Sequence, residues 1–170
     1  LDFNFGYNGS ENFAPGNQFG FFPAYSAAWN IAEEPFIKKN LKWINMFKLR
    51  YSYGKVGSDY VGGKRFPYLA TFKNQGSYNW GDYDNGYSFN GRTYDRIASN
   101  DVTWEIASKH DAGIDLSLWN DQITATVDYF HDTREGIYMT RVNLPYTVGL
   151  NSINPAANVG KIRSTGFDGN

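Results

Sequence analysis

One pattern dominates this sequence: apolar and polar residues alternate with period 2, repeatedly and over long stretches. The clearest case runs from Trp104 to Leu118, where Trp104, Ile106, Ser108, His110, Ala112, Ile114, Leu116 and Leu118 interleave with Glu105, Ala107, Lys109, Asp111, Gly113, Asp115 and Ser117. All the Asp, Glu and Lys of this stretch fall in the second set. Between Trp43 and Lys55, Trp43, Asn45, Phe47, Leu49, Tyr51 and Tyr53 oppose Lys48, Arg50, Ser52 and Gly54, and residues 19–31 show a similar greasy set. After Trp119-Asn120-Asp121, the residues Ile123, Ala125, Val127 and Tyr129 oppose Thr124, Thr126 and Asp128, which predicts a hairpin with a short loop. Helical periodicity does not persist beyond about two turns; its best candidate, residues 32–41, contains Pro35 and reads as a turn. The expected fold class is therefore all-β, with strands around residues 1–8, 19–31, 43–55, 103–118, 122–133 and 157–168.

Composition removes several functions. With 16 Lys+Arg against 17 Asp+Glu there is no basic footprint for nucleic acid. The absence of cysteine excludes a disulfide framework, a thiolate zinc site and a Cys nucleophile, and 2 histidines do not make a His-rich metal centre. No metal and no cofactor is expected. Mean hydropathy is -0.55, and no window reaches the roughly 18 apolar residues of a membrane helix, a test that is blind to membrane strands.

The connections separate two kinds of all-β protein. Residues 32–42 and 119–121 are compact, whereas 56–101 and 143–158 are long and rich in Gly, Asn, Asp, Ser and Tyr. Short turns at one end and long loops at the other characterise an outer-membrane barrel. The expected strands also exceed the soluble mode of about 5–6 residues. Trp29, Trp43 and Trp119 flank the compact turns as an aromatic girdle would, and Trp104 is expected to mark the opposite girdle. A soluble β-sandwich, specifically a carbohydrate-binding module, remains the alternative, because one buried face produces the same alternation.

The run Phe22-Pro23-Ala24-Tyr25-Ser26-Ala27-Ala28-Trp29-Asn30-Ile31-Ala32-Glu33-Glu34-Pro35-Phe36, followed by Phe47-Lys48-Leu49-Arg50-Tyr51-Ser52-Tyr53-Gly54-Lys55-Val56-Gly57, resembles the C-terminal barrel of SusC/RagA-type TonB-dependent outer-membrane transporters. Ala28 stands where that family has Gly, and Gly57-Ser58-Asp59 where it has TGN. Thr103-Trp104-Glu105, Ala112-Gly113-Ile114-Asp115-Leu116, Val127-Asp128-Tyr129-Phe130 with Thr133, and Asn158-Val159-Gly160-Lys161-Ile162 with Gly166-Phe167 continue the resemblance in order. It implies that residues 1–170 are a multi-pass sector of a 22-stranded barrel in the bacterial outer membrane, with plug, TonB box and signal peptide lying elsewhere in a longer chain. It also implies TonB-dependent import of oligosaccharides or peptides, with TonB and a SusD-like surface lipoprotein as partners and outer-membrane lipid around the wall. No enzymatic activity is expected. A TonB-dependent siderophore or cobalamin receptor is a near alternative, against which the SusC-like wording argues.

In such a barrel Lys48, Arg50, Glu105, Lys109, Asp111, Asp115 and Asp128 are expected to face the lumen, since a Lys or Arg on the lipid face at mid-depth costs about 2–4 kcal/mol. Tyr78, Trp80, Tyr83, Asp84 and Tyr87 form an aromatic and amide-rich stretch suited to sugar contact, read as a loop, with packing on a lid lipoprotein as the competing use. Asp82, Asp84 and Asn85 lack EF-hand spacing, because Gly86 falls one place early. Glu33-Glu34 and His131-Asp132 carry no catalytic geometry on their own, and His110 is expected to lie at a membrane interface.

Overall fold

A computed structural model describes residues 1–41, 43–82, 86–141, 145, 147, 153 and 155–170. Six strands form one antiparallel sheet in the order β1-β2-β3-β6-β7-β8, and β4 and β5 form a separate two-stranded sheet. The strands are β1 (Asp2–Gly9), β2 (Phe19–Asn30), β3 (Ile44–Ser58), β4 (Thr71–Trp80), β5 (Tyr87–Arg96), β6 (Glu105–Leu118), β7 (Ile123–Thr140) and β8 (Ala156–Gly169). The expected six-strand meander is present, and β7 runs on well past residue 133.

Two features differ from the expectation. Residues 32–41 are not a simple turn: a 3-10 turn (Ile31–Glu33) leads into a short helix α1 (Pro35–Asn40), where Pro35 occupies a first-turn position that needs no N–H. The second difference is the β4–β5 hairpin inside the long 56–101 connection. Its register slips at Gln75-Gly76, where Asn74 pairs with Arg92 but Ser77 pairs with Asn90. That extra residue breaks the alternation and conceals the strand in the sequence.

β7 carries a bulge of its own. Gly136, at φ 71°, is inserted between Glu135 and Ile137 opposite β8, a left-handed conformation that glycine adopts without penalty. The Asn158 amide bridges the gap, donating to the carbonyls of Gly136 (2.6 Å) and Thr103 (2.8 Å) and accepting from the Thr103 N–H (2.9 Å).

The six-stranded sheet has no second layer among the described residues. Phe13, Phe22, Val61, Val102 and Trp104 form the buried cluster, with Tyr138 packed against it, and they gather where the long connections meet.

Candidate functional site

The register sorts the sheet into two faces. Phe3, Phe5 and Tyr7 pair with Tyr25, Pro23 and Phe21; Tyr25, Ala27 and Trp29 pair with Tyr53, Tyr51 and Leu49; these continue through Ile114, Val127, Tyr129 and Phe167. This aromatic face is uncovered, with Phe3 at 65%, Phe21 at 55%, Val127 at 50% and Phe167 at 78% exposure. Its apolar zone runs obliquely across the strands: on β2 it reaches Phe19, but on β7 it stops at Tyr129, beyond which His131, Thr133 and Glu135 follow.

At the compact-turn end Trp29, Trp43 and Trp119 are exposed, and the rings of Trp43 and Trp119 stack at 5.7 Å. Trp104 does not mark the other end of this face. It precedes β6, outside the pleat, and turns into the buried cluster at 9% exposure, its indole N–H donating to the Gln18 carbonyl at 3.2 Å. The residues that do stand at that end of the aromatic face on β3 and β6 are Tyr53 and His110, their rings 4.6 Å apart.

Lys48, Arg50, Glu105, Lys109, Asp111, Asp115 and Asp128 all share the opposite face. Arg50 is its centre. Its Nε and Nη2 donate to the two Asp115 carboxylate oxygens at 2.8 and 3.0 Å, and Nη2 also reaches Asp128 Oδ1 at 2.9 Å. These bonds cross from β3 over β6 to β7, and Gly113, directly between Arg50 and Asp128, leaves the room; a Cβ there would overlap Asp128 Oδ1 and lie 2.8 Å from Arg50 Nη2. Glu105 pairs with Arg134 at 3.2 Å. Such a bidentate, charge-assisted lattice locks strand register. It contains no nucleophile–base pair.

Above this face the long connections interlock. Ser10 Oγ donates to Asp59 Oδ2 at 2.7 Å, Asn17 Nδ2 to the Asn100 carbonyl at 3.1 Å, and Ser99 Oγ to the Ala156 carbonyl at 2.9 Å. Phe22 projects into the nest where the β2–β3 ladder has already ended at Ala24 and Gly54, edge-on to Trp104 at 5.2 Å. Beside the nest a cleft of about 490 Å³ is lined by Tyr60, Lys64, Asp95, Arg96, Ser99 and Tyr138, among others.

The β4–β5 hairpin rises from this cleft, and Arg96 fastens its base by donating to the carbonyls of Leu69 (3.1 Å) and Arg65 (2.8 Å). Tyr78, Trp80 and Tyr87 are therefore strand residues rather than loop residues. Tyr78 pairs with Phe89 and Trp80 with Tyr87, so all four rings share one face of the hairpin, at 64%, 61%, 61% and 71% exposure for Tyr78, Trp80, Phe89 and Tyr87. Phe89 joins the expected residues, and its spacing of two from Tyr87 is the signal in the sequence. Tyr83 and Asp84 lie outside the described residues.

No protein-family model matches the chain. It is 32% identical over 161 residues to TonB-dependent receptor P39 of Formosa agariphila, covering 95% of this chain and 14% of the relative. It is 26% identical to TonB-dependent receptor SusC of Bacteroides thetaiotaomicron, covering 98% of this chain and 16% of that protein. Among solved structures it resembles the RagAB peptide importer in its 'open-open' state, with TM-score 0.75 and 22% identity over 98% of this chain and 17% of that one. The 'closed-closed' state gives TM-score 0.73 at the same identity and coverage. The chain thus spans about one sixth of the length of the proteins it resembles.

Proposed function

From the premise that this chain is related to the TonB-dependent receptors along 95% of its length and has the fold of a transporter barrel wall, we propose that it is a wall sector of a TonB-dependent importer in the bacterial outer membrane. The carrying observation is the sheet's uncovered aromatic face. A soluble module would bury one face of such a sheet against a second layer, whereas lipid covers it here. Trp29, Trp43 and Trp119 form the girdle at the compact-turn end. Trp43 to Tyr53 spans about 33 Å of strand at about 3.3 Å per residue; tilted about 40°, that is the roughly 25 Å apolar band of a membrane barrel. Tyr53 and His110 then stand at the second interface. The charged face lines the lumen, where Arg50, Asp115 and Asp128 satisfy one another and Lys48, Lys109 and Asp111 meet water and the plug.

The imported substrate is an oligosaccharide or a peptide too large for porins, drawn in by TonB acting on a segment elsewhere in the protein and enclosed by a SusD-like lipoprotein. The Tyr78, Trp80, Tyr87 and Phe89 platform stacks on apolar faces of the substrate. The chain does transport and no bond chemistry.

The test is uptake of fluorescent oligosaccharide and peptide panels by cells carrying, lacking or uncoupling the full-length protein. Uptake of one class should vanish on deletion and on collapse of the proton gradient; unchanged uptake of both overturns the proposal. The paired substitution Tyr78→Ser and Trp80→Ser should lower apparent affinity about tenfold, the scale of losing about 1.4 kcal/mol of anchoring, with the amount in the outer membrane unchanged.

A further inference from the structure

Where the aromatic face gives way to polar residues, the strand register builds a second feature. Lys55, Ser108, Thr133 and Arg163 lie in one row across β3, β6, β7 and β8. Long cations stand at its two ends, about 14 Å apart for three strand spacings, and small hydroxyl side chains floor the space between. Among the described residues neither Lys55 nor Arg163 forms an ion pair. One row further on, Lys161 pairs with Glu135, so the patch of Lys55, Lys161, Arg163 and Glu135 carries a surplus of two positive charges. Directly below the trough lie His110 and His131, which are register partners. Both are already oriented, His110 by Tyr51 Oη at 3.0 Å and His131 by Thr165 Oγ1 at 2.8 Å.

The trough does not end at the histidines. Ala112 lies between Tyr51 and Tyr129 in the next row of this face, and its small side chain leaves a groove of about 460 Å³ bounded by those tyrosines and the two histidines. That groove meets a wider one of about 830 Å³, with far more apolar than polar lining, that reaches Leu49, Ile114 and Val127. A cationic, hydroxyl-floored trough thus opens into an apolar channel running down β6, on the face that meets lipid.

We infer that this column is a binding site for one phosphate-bearing membrane lipid, with the headgroup phosphate between Lys55 and Arg163 over Ser108 and Thr133 and an acyl chain in the Ala112 groove. A free inorganic anion would use the trough but not the channel; the trough's positive charge and the apolar channel beneath it together select the lipid. The inference rests on the membrane-wall reading above. Its position on the lipid face separates it from substrate capture, which belongs to the lumen and the hairpin.

The test uses the full-length protein purified in mild detergent, with bound lipid counted by native mass spectrometry after incubation with diphosphoryl lipid A, dephosphorylated lipid A or inorganic phosphate. Heat-modifiable gel migration of each sample reports independently whether the barrel is folded, so a failed wall reading is recognised before lipid is counted. The wild-type protein should retain diphosphoryl lipid A. The double substitution Lys55→Gln and Arg163→Gln, and separately Ala112→Leu, should each lower retention about tenfold in folded barrels, while Lys73→Gln on the hairpin leaves it unchanged. Equal retention of phosphorylated and dephosphorylated lipid, full competition by inorganic phosphate, or indifference to both sets of substitutions overturns the inference.

Discussion

Gly57 offers a sharp test of how the loop nest is built. Its φ lies outside the left-handed region, so its requirement for glycine is one of space: a Cβ at this position would overlap the Phe22 ring. That ring cannot swing away cheaply, being 8% exposed and held against Trp104, with Gly20 leaving room on another side. Forcing a methyl into a packed cluster costs about 1–3 kcal/mol, and the ceiling is the roughly 3–5 kcal/mol of losing the ring altogether. These water-based magnitudes apply because the nest is built among the long connections and not on the aromatic face. Gly57→Ala should therefore raise local opening, read as hydrogen exchange of the amides of residues 59–66 and 99–104 in the full-length barrel, by about 5- to 150-fold. Gly54→Ala, which meets only the Ala24 Cβ at 3.6 Å, should change it less than about twofold, the ordinary scale of a tolerated substitution. The decisive arm is the double mutant: with Phe22→Ala already present, Gly57→Ala should add almost nothing. Equal acceleration in both backgrounds would refute the steric argument.

Two further outcomes follow from the faces of the sheet. Val127→Arg, on the aromatic face at mid-strand, should destabilise folding into lipid vesicles by about 2–4 kcal/mol, whereas Thr126→Arg on the charged face should cost little; equal effects would mean that lipid does not cover the aromatic face. Arg50→Gln leaves Asp115 and Asp128, whose side chains are 17% and 24% exposed, without the guanidinium they share. Urea midpoints should show a loss of about 1–3 kcal/mol, below the cost at a fully buried pair because water reaches these groups.

The wall was legible because a membrane strand writes its environment into every second residue. Leu49, Ile114 and Val127 could only be on one side, and Arg50, Asp115 and Asp128 only on the other. The β4–β5 hairpin was not legible, since neither of its faces is buried in this chain and the slip at Gln75-Gly76 shifts its aromatics between faces: Phe72 and Tyr94 lie on one side, Tyr78 and Phe89 on the other. Alternation misplaces Trp104 because it lies one residue before the start of β6, where the pleat no longer fixes direction. The partners of Arg50 lie 65 and 78 residues away, and such pairings follow from register across β3, β6 and β7, which local pattern does not encode. The residue types place charge on one face without saying which carboxylates share one guanidinium.

The turn between β6 and β7 depends on its neighbour strand for its shape. Trp119, Asn120 and Asp121 all sit at positive φ, at 50°, 54° and 64°, a conformation that costs about 1–2 kcal/mol for an ordinary L-residue and less for Asn and Asp. The turn is held from outside: the Trp119 N–H donates to the Trp43 carbonyl at 2.9 Å and the Asn120 N–H to Asn45 Oδ1 at 3.1 Å, with Ser117 Oγ and Asp121 closing it from within. Both outside acceptors lie at the start of β3, Trp43 just before the strand and Asn45 within its first two residues. A β6–β7 hairpin standing alone therefore lacks part of the mould that shapes its own bend, and that bend is fully held only once the start of β3 lies beside it.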